Sequence, residues 1–247
     1  LGFSQIRDML VRLAPSRLSK EAARALKPDT DEDTVVKSLT DTEEAVVCLE
    51  KEGQIPLGGI TDIRPFLEKA KREVTLSADE CIAVWENAQR YGQIQDFFAP
   101  KEAEYPQLSQ RAETLGDFSL LVQRVGAVFD ENHQVRDNAS VELARLRTRI
   151  AELERRTKRY IQQILADKSY QKYFQDTLVT VRNNRSVIPV KQEYRHAFPG
   201  IVHDMSASGA TLYVEPLAVV DANNDLQTAK LAEEKEIERI YRRLTAL

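Results

Sequence analysis

Through the first half of the chain, apolar residues recur at helical spacing, broken by short polar and proline-containing stretches. Phe3, Ile6, Leu10 and Leu13 form one stripe that Pro15 closes, and Leu18 to Leu26 forms a second segment ending before Pro28. Asp31 and Asp33 stand at the start of a third element, where carboxylates satisfy free N–H groups. Its stripe of Val35, Val36, Leu39, Val46 and Leu49 continues to Gly53. A loop with Pro56, Gly58 and Gly59 follows, and Pro65 suits the first turn of a short helix. Ser77 and Glu80 predict a capping box for a helix running to about Phe98, with Cys81, Ile82, Trp85, Ala88, Ile94 and Phe97 on its core face. Two further helices are predicted near 106–114 and 117–128.

The pattern changes at Ser140. Leu146, Ile150, Leu153, Thr157, Tyr160 and Ile164 are spaced 4, 3, 4, 3 and 4, a heptad seam on a helix free of Gly and Pro from Val141 through Tyr173. Residues 141–168 alone would extend roughly 40 Å at about 1.5 Å per residue. Past about Gln175 the period falls to two. "TLVTVRNNRSVIPVKQEY" clusters β-branched residues around the turn signal Asn183-Asn184, and Pro189 points to an edge or a bulge. Ile201 to His203 and Ala210 to Glu215 are predicted strands joined by "DMSASG"; Gly209 supplies a positive φ there and Pro216 closes the second strand. A helix resumes from Asn223 or Asn224, with Ile237, Ile240, Leu244 and Leu247 on one face.

The expected architecture is therefore mainly α, in four parts. A helical domain covers 1–140, a first long helix 141–175, a small antiparallel β unit 176–219, and a second long helix 220–247. Neither long helix can bury its apolar face alone, so the two should pair antiparallel or pack on a partner chain. A β unit at the end of two such helices suits a reaching or clamping element better than a catalytic cleft.

Composition narrows the classes further. With 247 residues, 42% of them apolar, the chain is long enough for a substantial core and too apolar for wholesale disorder. Cys48 and Cys81 make neither a disulfide scaffold nor a zinc site, so a reducing, cytoplasmic setting is expected. No apolar run approaches about 18 residues and no signal peptide opens the chain, so no membrane association is expected. Leu1 opens the chain without an initiator Met and Leu247 ends it inside a helix, so both ends read as those of a fragment. The net charge of −4 conceals an asymmetry: residues 1–140 carry 17 bases and 25 acids, whereas 141–168 carry eight bases and four acids. A local basic patch is what counterion release depends on, so overall acidity leaves a nucleic-acid surface open.

The search for chemistry finds no GxxxxGK[ST] or GxGxxG loop, and no cofactor is expected of this stretch. Among His133, His196 and His203, the last two fall on adjacent predicted strands near Glu193, Asp204 and Glu215. That is a thin basis for a metal site, and His203 reads instead as a half-buried residue supporting the turn. Ser206 and Ser208 lack the leading Gly of a nucleophile elbow. With His203, Asp204 and Gly209 they are read as a structural turn, a backbone pocket for a phosphate being the alternative. No catalytic residue and no metal ligand is assigned. The strongest electrostatic feature is the helical series Arg145, Arg147, Arg149, Arg155, Arg156, Lys158 and Arg159, which covers much of the helix except the seam. Arg182, Arg185, Lys191 and Arg195 add a second cluster on the β unit. Arg145, Arg149, Arg155, Arg156, Lys158 and Arg159 with the second cluster are the candidate phosphate contacts. The competing reading pairs the helical charges with Glu152, Glu154 and the acidic returning helix.

These residues carry a resemblance. "LGGITDIRP" at 57–65, "VRDNASVELARLR" at 135–147, "VIPVKQEYR" at 187–195 and "PGIVHDMSASGATLYVEP" at 199–216 resemble the N-terminal part of the MutS2 family. "NNDL" at 223–226 leads into a charged "EEKEIERI" at 233–240 that is similar as well. The resemblance covers essentially the whole chain and implies a MutS-like helical core, two lever helices and a clamp-like tip. It implies a homodimeric protein whose ABC-type ATPase and Smr nuclease domains are not in this stretch. ATP, Mg2+ and endonuclease activity are thus expected of those domains, and this region is expected to be non-catalytic. The implied partner is branched or duplex DNA, bound through phosphates without mismatch specificity, with suppression of homologous recombination as the outcome. An alternative implied role is a dimerisation and signal-transmission scaffold acting on stalled or collided ribosomes through rRNA. Three positions depart from the family pattern: Asn184 stands where Gly is common, Ser186 replaces a Tyr that could stack, and His133 replaces a Gly or polar residue.

Overall fold

In a computed structural model describing residues 2–247, the chain divides into two compact units. The first is Leu1–Arg136 with Tyr241–Leu247, and the second is Asp137–Ile240.

The first unit is built of α1 (Phe3–Leu13), α2 (Arg17–Ala25), α3 (Glu32–Glu52), α4 (Arg64–Lys71), α5 (Ala78–Phe98), α6 (Pro106–Glu113) and α7 (Ser119–Gly126). Local chemistry sets their ends. Asp31 opens α3 by accepting the Thr34 N–H at 3.0 Å, and Gly53, at φ 76°, lets the chain leave it. The expected capping box opens α5: Ser77 Oγ accepts the Glu80 N–H at 3.3 Å and Glu80 Oε2 accepts the Ser77 N–H at 3.0 Å. Cys48, Ile94, Phe98, Tyr105 and Ala112 form the core between α3, α5 and α6. Tyr105 offers no side-chain cap to α6, so Glu44 of α3 supplies one, accepting the Gln107 and Leu108 N–H groups at 3.0 and 3.1 Å. Buried Asn87 grips the Thr61 backbone from both sides, at 2.9 and 2.7 Å, and so holds the loop that carries Gly58 and Gly59. The α1 stripe stays outside this core: Phe3, Ile6, Met9, Leu10 and Leu13 are all exposed.

The second unit consists of α8 (Val141–Ala166), four strands and most of α9 (Val220–Thr245). The strands β1 (Thr180–Arg182), β2 (Arg185–Lys191), β3 (Gly200–Met205) and β4 (Thr211–Pro216) form one antiparallel sheet in the order β1-β2-β4-β3. Asn183 and Asn184, at φ 50° and 59°, make the two-residue hairpin between β1 and β2 that their side chains favour. Ile161 and Leu165 of α8 pack with Ile188, Val190, Leu212 and Val214 on one face of the sheet. Nearer its start, α8 meets α9 through Ile150 and Leu153 against Leu226 and Ala229. The bonds Ser140–Glu236, Arg147–Glu233 and Glu154–Lys230 run in opposite senses along the two helices, so they pair antiparallel.

Three expectations are corrected here. First, the long helix stops at Ala166, not near 175. Asp167 Oδ1 accepts both the Ser169 N–H (2.9 Å) and its hydroxyl (2.7 Å), a local turn that competes with helical continuation. Second, the heptad seam does not persist. Beyond Thr157 the buried positions are Ile161 and Leu165, while Tyr160 and Ile164 are half-buried. Successive steps of four rotate the buried face by about 80°. The cause is a change of neighbour, from a helix that a heptad can follow to a sheet that it cannot. Third, Pro189 lies within β2, which has β1 and β4 as neighbours, and is at neither an edge nor a bulge. The β1 ladder ends at Thr180↔Val187, and the Pro189 carbonyl accepts the Gln175 N–H at 2.9 Å beyond it, so the missing donor costs no strand pairing.

Candidate nucleic-acid interface

The seam of α8 fixes which of its charges face outward. At about 100° per residue, Arg145, Arg149, Arg156 and Arg159 fall within an arc of about 80°, roughly opposite the buried face and spread over about 21 Å of helix. All four are exposed. Glu152 lies in the same arc, exposed Arg155 borders it about 40° away, and exposed Lys158 lies about 100° beyond it on another side of the helix. Their intramolecular contacts are slight. Arg145 is 3.6 Å from Glu142, Arg155 Nε donates to the Ala151 carbonyl at 3.2 Å, and Arg156 lies 5.5 Å over the Tyr160 ring. Arg149, Lys158 and Arg159 have no ion-pair partner among the described residues. Exposed contacts of this kind contribute about 0–1 kcal/mol and give way readily to a phosphate.

Arg147 behaves differently. Its side chain is half-buried, with Nη1 2.5 Å from Asp137 and Nε 2.8 Å from Glu233 of α9. Burial pulls its pKa down, but the hydrogen bonds to Glu233 and Asp137 outweigh this and hold it above the usual arginine value. It ties two helices together. Pairing with the returning helix thus accounts for Arg147 and leaves the outward row to solvent.

On the sheet the second basic cluster divides. Arg182 is 3.2 Å from Asp204 and lies 4.2 Å over the Tyr213 ring. Lys191 Nζ donates to the Lys172 carbonyl at 3.4 Å, and Arg195 is exposed. Arg185 turns inward, where Nη1 donates to Glu215 Oε1 at 3.1 Å. Glu215 is 1% exposed and also contacts Asn223 Nδ2 at 2.7 Å and His203 Nε2 at 2.6 Å. Sequence reasoning missed this hub. Its signal is a lone carboxylate in an apolar strand, whose partners stand 30, 12 and 8 residues away.

The predicted turn set also divides. Ser206 Oγ accepts the Thr211 N–H at 3.1 Å, Ser208 Oγ accepts the Ala210 N–H at 3.5 Å, Asp204 Oδ1 accepts the Met205 N–H at 2.8 Å, and Gly209 sits at φ 74°. His203 instead belongs to the Glu215 hub. Among the described residues, no three His, Cys, Asp or Glu side chains converge as metal ligands, and no helix is long and apolar enough to cross a membrane. The surface this arrangement offers is a row of guanidinium groups, suited to phosphates along a backbone rather than to base edges.

No protein-family model matches the chain. It is 40% identical over 248 residues to the putative endonuclease MutS2 of Bacillus subtilis (strain 168), covering 99% of this chain and 32% of that protein. It is 39% identical over 250 residues to the endonuclease MutS2 of Geobacillus sp. (strain WCH70), covering 100% and 32%. With the endonuclease MutS2 of Geobacillus kaustophilus (strain HTA426) it shares 41% identity over 243 residues, covering 97% and 31%. The chain spans about a third of the length of these curated relatives.

Proposed function

We propose that this chain, which belongs to the MutS2 family, is a non-catalytic, nucleic-acid-contacting part of an ATP-dependent DNA-binding protein. In this reading residues 1–140 are the core domain, the helix that ends at Ala166 and the helix of 220–247 are the levers, and 176–219 is the clamp-like tip. The single observation that carries it is the outward row of Arg145, Arg149, Arg156 and Arg159, opposite a seam that α8 needs for its own packing. At about 3.4 Å per nucleotide along one strand, about 21 Å of arginines matches some six phosphates. The ligand is branched or duplex DNA held by its backbone, without mismatch reading. Holding a junction by its phosphates obstructs the processing of that junction, which is how such binding would suppress homologous recombination. The endonuclease activity in the relatives' names, the ATP and Mg2+ sites, and the homodimer contacts belong to the two thirds of their length that this chain does not span.

The test is an anisotropy titration of the chain with a labelled four-way junction and a duplex, between about 50 and 200 mM salt. Affinity should fall with salt. Arg149→Ala with Arg159→Ala should lower the slope of log K against log salt by about 2, since each phosphate contact contributes about 0.9. A salt-independent affinity, or a folded double variant with unchanged slope, overturns the reading. Tighter binding to a ribosomal RNA helix than to the junction would move the ligand from DNA to rRNA and favour action on ribosomes.

A further inference from the structure

Away from the arginine row, the second unit carries a cluster of tyrosines that the phosphate reading does not use. Two short turns, Gln171–Tyr173 and Gln192–Tyr194, each end on a tyrosine, and the two rings meet at 4.9 Å between centroids with 43° between planes. Tyr170 joins them, 6.0 Å from Tyr173 and edge-on to Phe198 at 5.6 Å. Buried Phe174 and Phe198 support the group from the core side. All three tyrosines are only half-buried, so part of each side chain stays in solvent. Their seats are fixed by the core and their outer surfaces are not covered.

Cations stand beside these rings. Lys172 Nζ lies 5.2 Å from the centre of the Tyr173 ring, and Lys191 Nζ reaches the Lys172 carbonyl at 3.4 Å, bringing a second ammonium to the same turn. Lys168 and Arg195 are exposed nearby in sequence. The same segments hold Asp167, Asp176 and Glu193, so the local charge is almost balanced and phosphate attraction alone would be weak. Aromatic faces with a few cations, rather than a dense basic patch, are what a nucleotide with an open base requires: the ring receives the base and the ammonium receives its phosphate. Paired bases in a duplex present no such face.

We infer that Tyr170, Tyr173 and Tyr194, with Lys172 and Lys191, form a stacking platform for unpaired nucleotides, such as those at a gap or a flap. The inference rests on the reading of this unit as a nucleic-acid contact and names the part of the ligand that it takes. Arg149 and Arg159 hold the paired arms, and the tyrosines hold the open bases.

The experiment compares the parent chain, Tyr173→Leu/Tyr194→Leu and Arg149→Ala/Arg159→Ala on an oligothymidine strand and on a fully paired junction. The tyrosine variant should lose roughly 10- to 100-fold in affinity for the single strand, keep its affinity for the paired junction, and leave the salt slope unchanged. Tyr173→Phe/Tyr194→Phe should restore binding, because the ring and not the hydroxyl stacks. Equal single-strand affinity in parent and leucine variant sinks the platform while leaving the arginine reading intact. Absence of binding by the parent to every ligand sinks the arginine reading itself. Should the leucine variant unfold, photocrosslinking of the parent chain to 5-iododeoxyuridine in the single strand decides: adducts on Tyr170, Tyr173 or Tyr194 support the platform, and adducts confined to other residues overturn it.

Discussion

In Glu215→Ala, three donors lose their acceptor at once. The carboxylate sits at the end of β4, 1% exposed, and joins Arg185 of β2 (3.1 Å), His203 of β3 (2.6 Å) and Asn223 of α9 (2.7 Å). Asn223 Nδ2 also donates to the Ser186 carbonyl at 3.3 Å, so this one side chain ties α9 to both β2 and β4. Breaking a buried ion pair by removing one partner costs about 3–5 kcal/mol, because the remaining charge is left desolvated. The Arg185 side chain retains 23% exposure, so part of its charge reaches water and the lower figure, about 3 kcal/mol, applies. Two compact units need not unfold together, so global melting is the wrong assay. Hydrogen exchange of the β2 and β4 amides reads the loss where it occurs. At about 1.36 kcal/mol per decade, 3 kcal/mol is roughly a hundredfold faster exchange, with α5 of the first unit as the unaffected control. Arg185→Met with Glu215→Met should exchange more slowly than Glu215→Ala alone, since no ion is then left without its partner. Exchange in Glu215→Ala within about threefold of the parent would refute the reasoning, because the hub would then stabilise no more than a surface pair does.

Two other outcomes follow from named contacts. Arg64 hydrogen-bonds both oxygens of Asp62, at 2.8 and 2.7 Å, and holds that carboxyl down at about 2 against an ordinary 3.8. A depressed folded value means the pairing stabilises fully above the unfolded value and is lost as pH falls from 3.8 to about 2; a side-chain carboxyl NMR titration with its midpoint near 3.8 would show the pairing to be absent in solution. At Gly200, an added Cβ would lie 2.3 Å from Val214 Cγ1 and 2.6 Å from the Glu215 carbonyl oxygen. A backbone oxygen cannot swing aside, so Gly200→Ala should force β3 away from β4 at a cost of about 1–3 kcal/mol, and unchanged exchange along β4 would contradict that close approach.

What the sequence discloses about the fold is what its local chemistry decides. Asp31, Gly53, Ser77 with Glu80, Asn183-Asn184 and Gly209 each act within a few residues, and each sits where a cap or turn was read. The end of α8 is different in kind. Nothing between Val141 and Tyr173 breaks a helix, yet an Asp167–Ser169 turn prevails once the chain must fold back under the sheet to place Phe174 in its core. Pro189 misleads for a related reason. Proline excludes itself from a central strand only if its nitrogen is asked to donate, and here the first ladder has already ended at Val187.

The candidate site divides along the same line. A series of seven basic residues on one helix reads as a patch or as a set of ion pairs, and spacing alone does not choose. The choice depends on where the helix buries its seam. Ile150 and Leu153 face α9, and beside them Arg149 stays exposed with no ion-pair partner among the described residues, while Arg147, two residues earlier, reaches Glu233, 86 residues distant in the chain. Arg185 and Arg182 part in the same way: only the two hairpin asparagines separate them, and one ends on a carboxylate 1% exposed while the other stays half-buried at the surface beside Asp204. In each pair the residue type is identical and the neighbour differs, so their work is decided by long-range packing that no single-residue pattern records. The tyrosine cluster makes the same point in reverse. Ser186 removes the ring expected at the hairpin, yet Tyr173 and Tyr194, 21 positions apart, come within 4.9 Å because two turns close over the same buried phenylalanines. A stacking surface lost at one position in the sequence is thereby available at another in the fold.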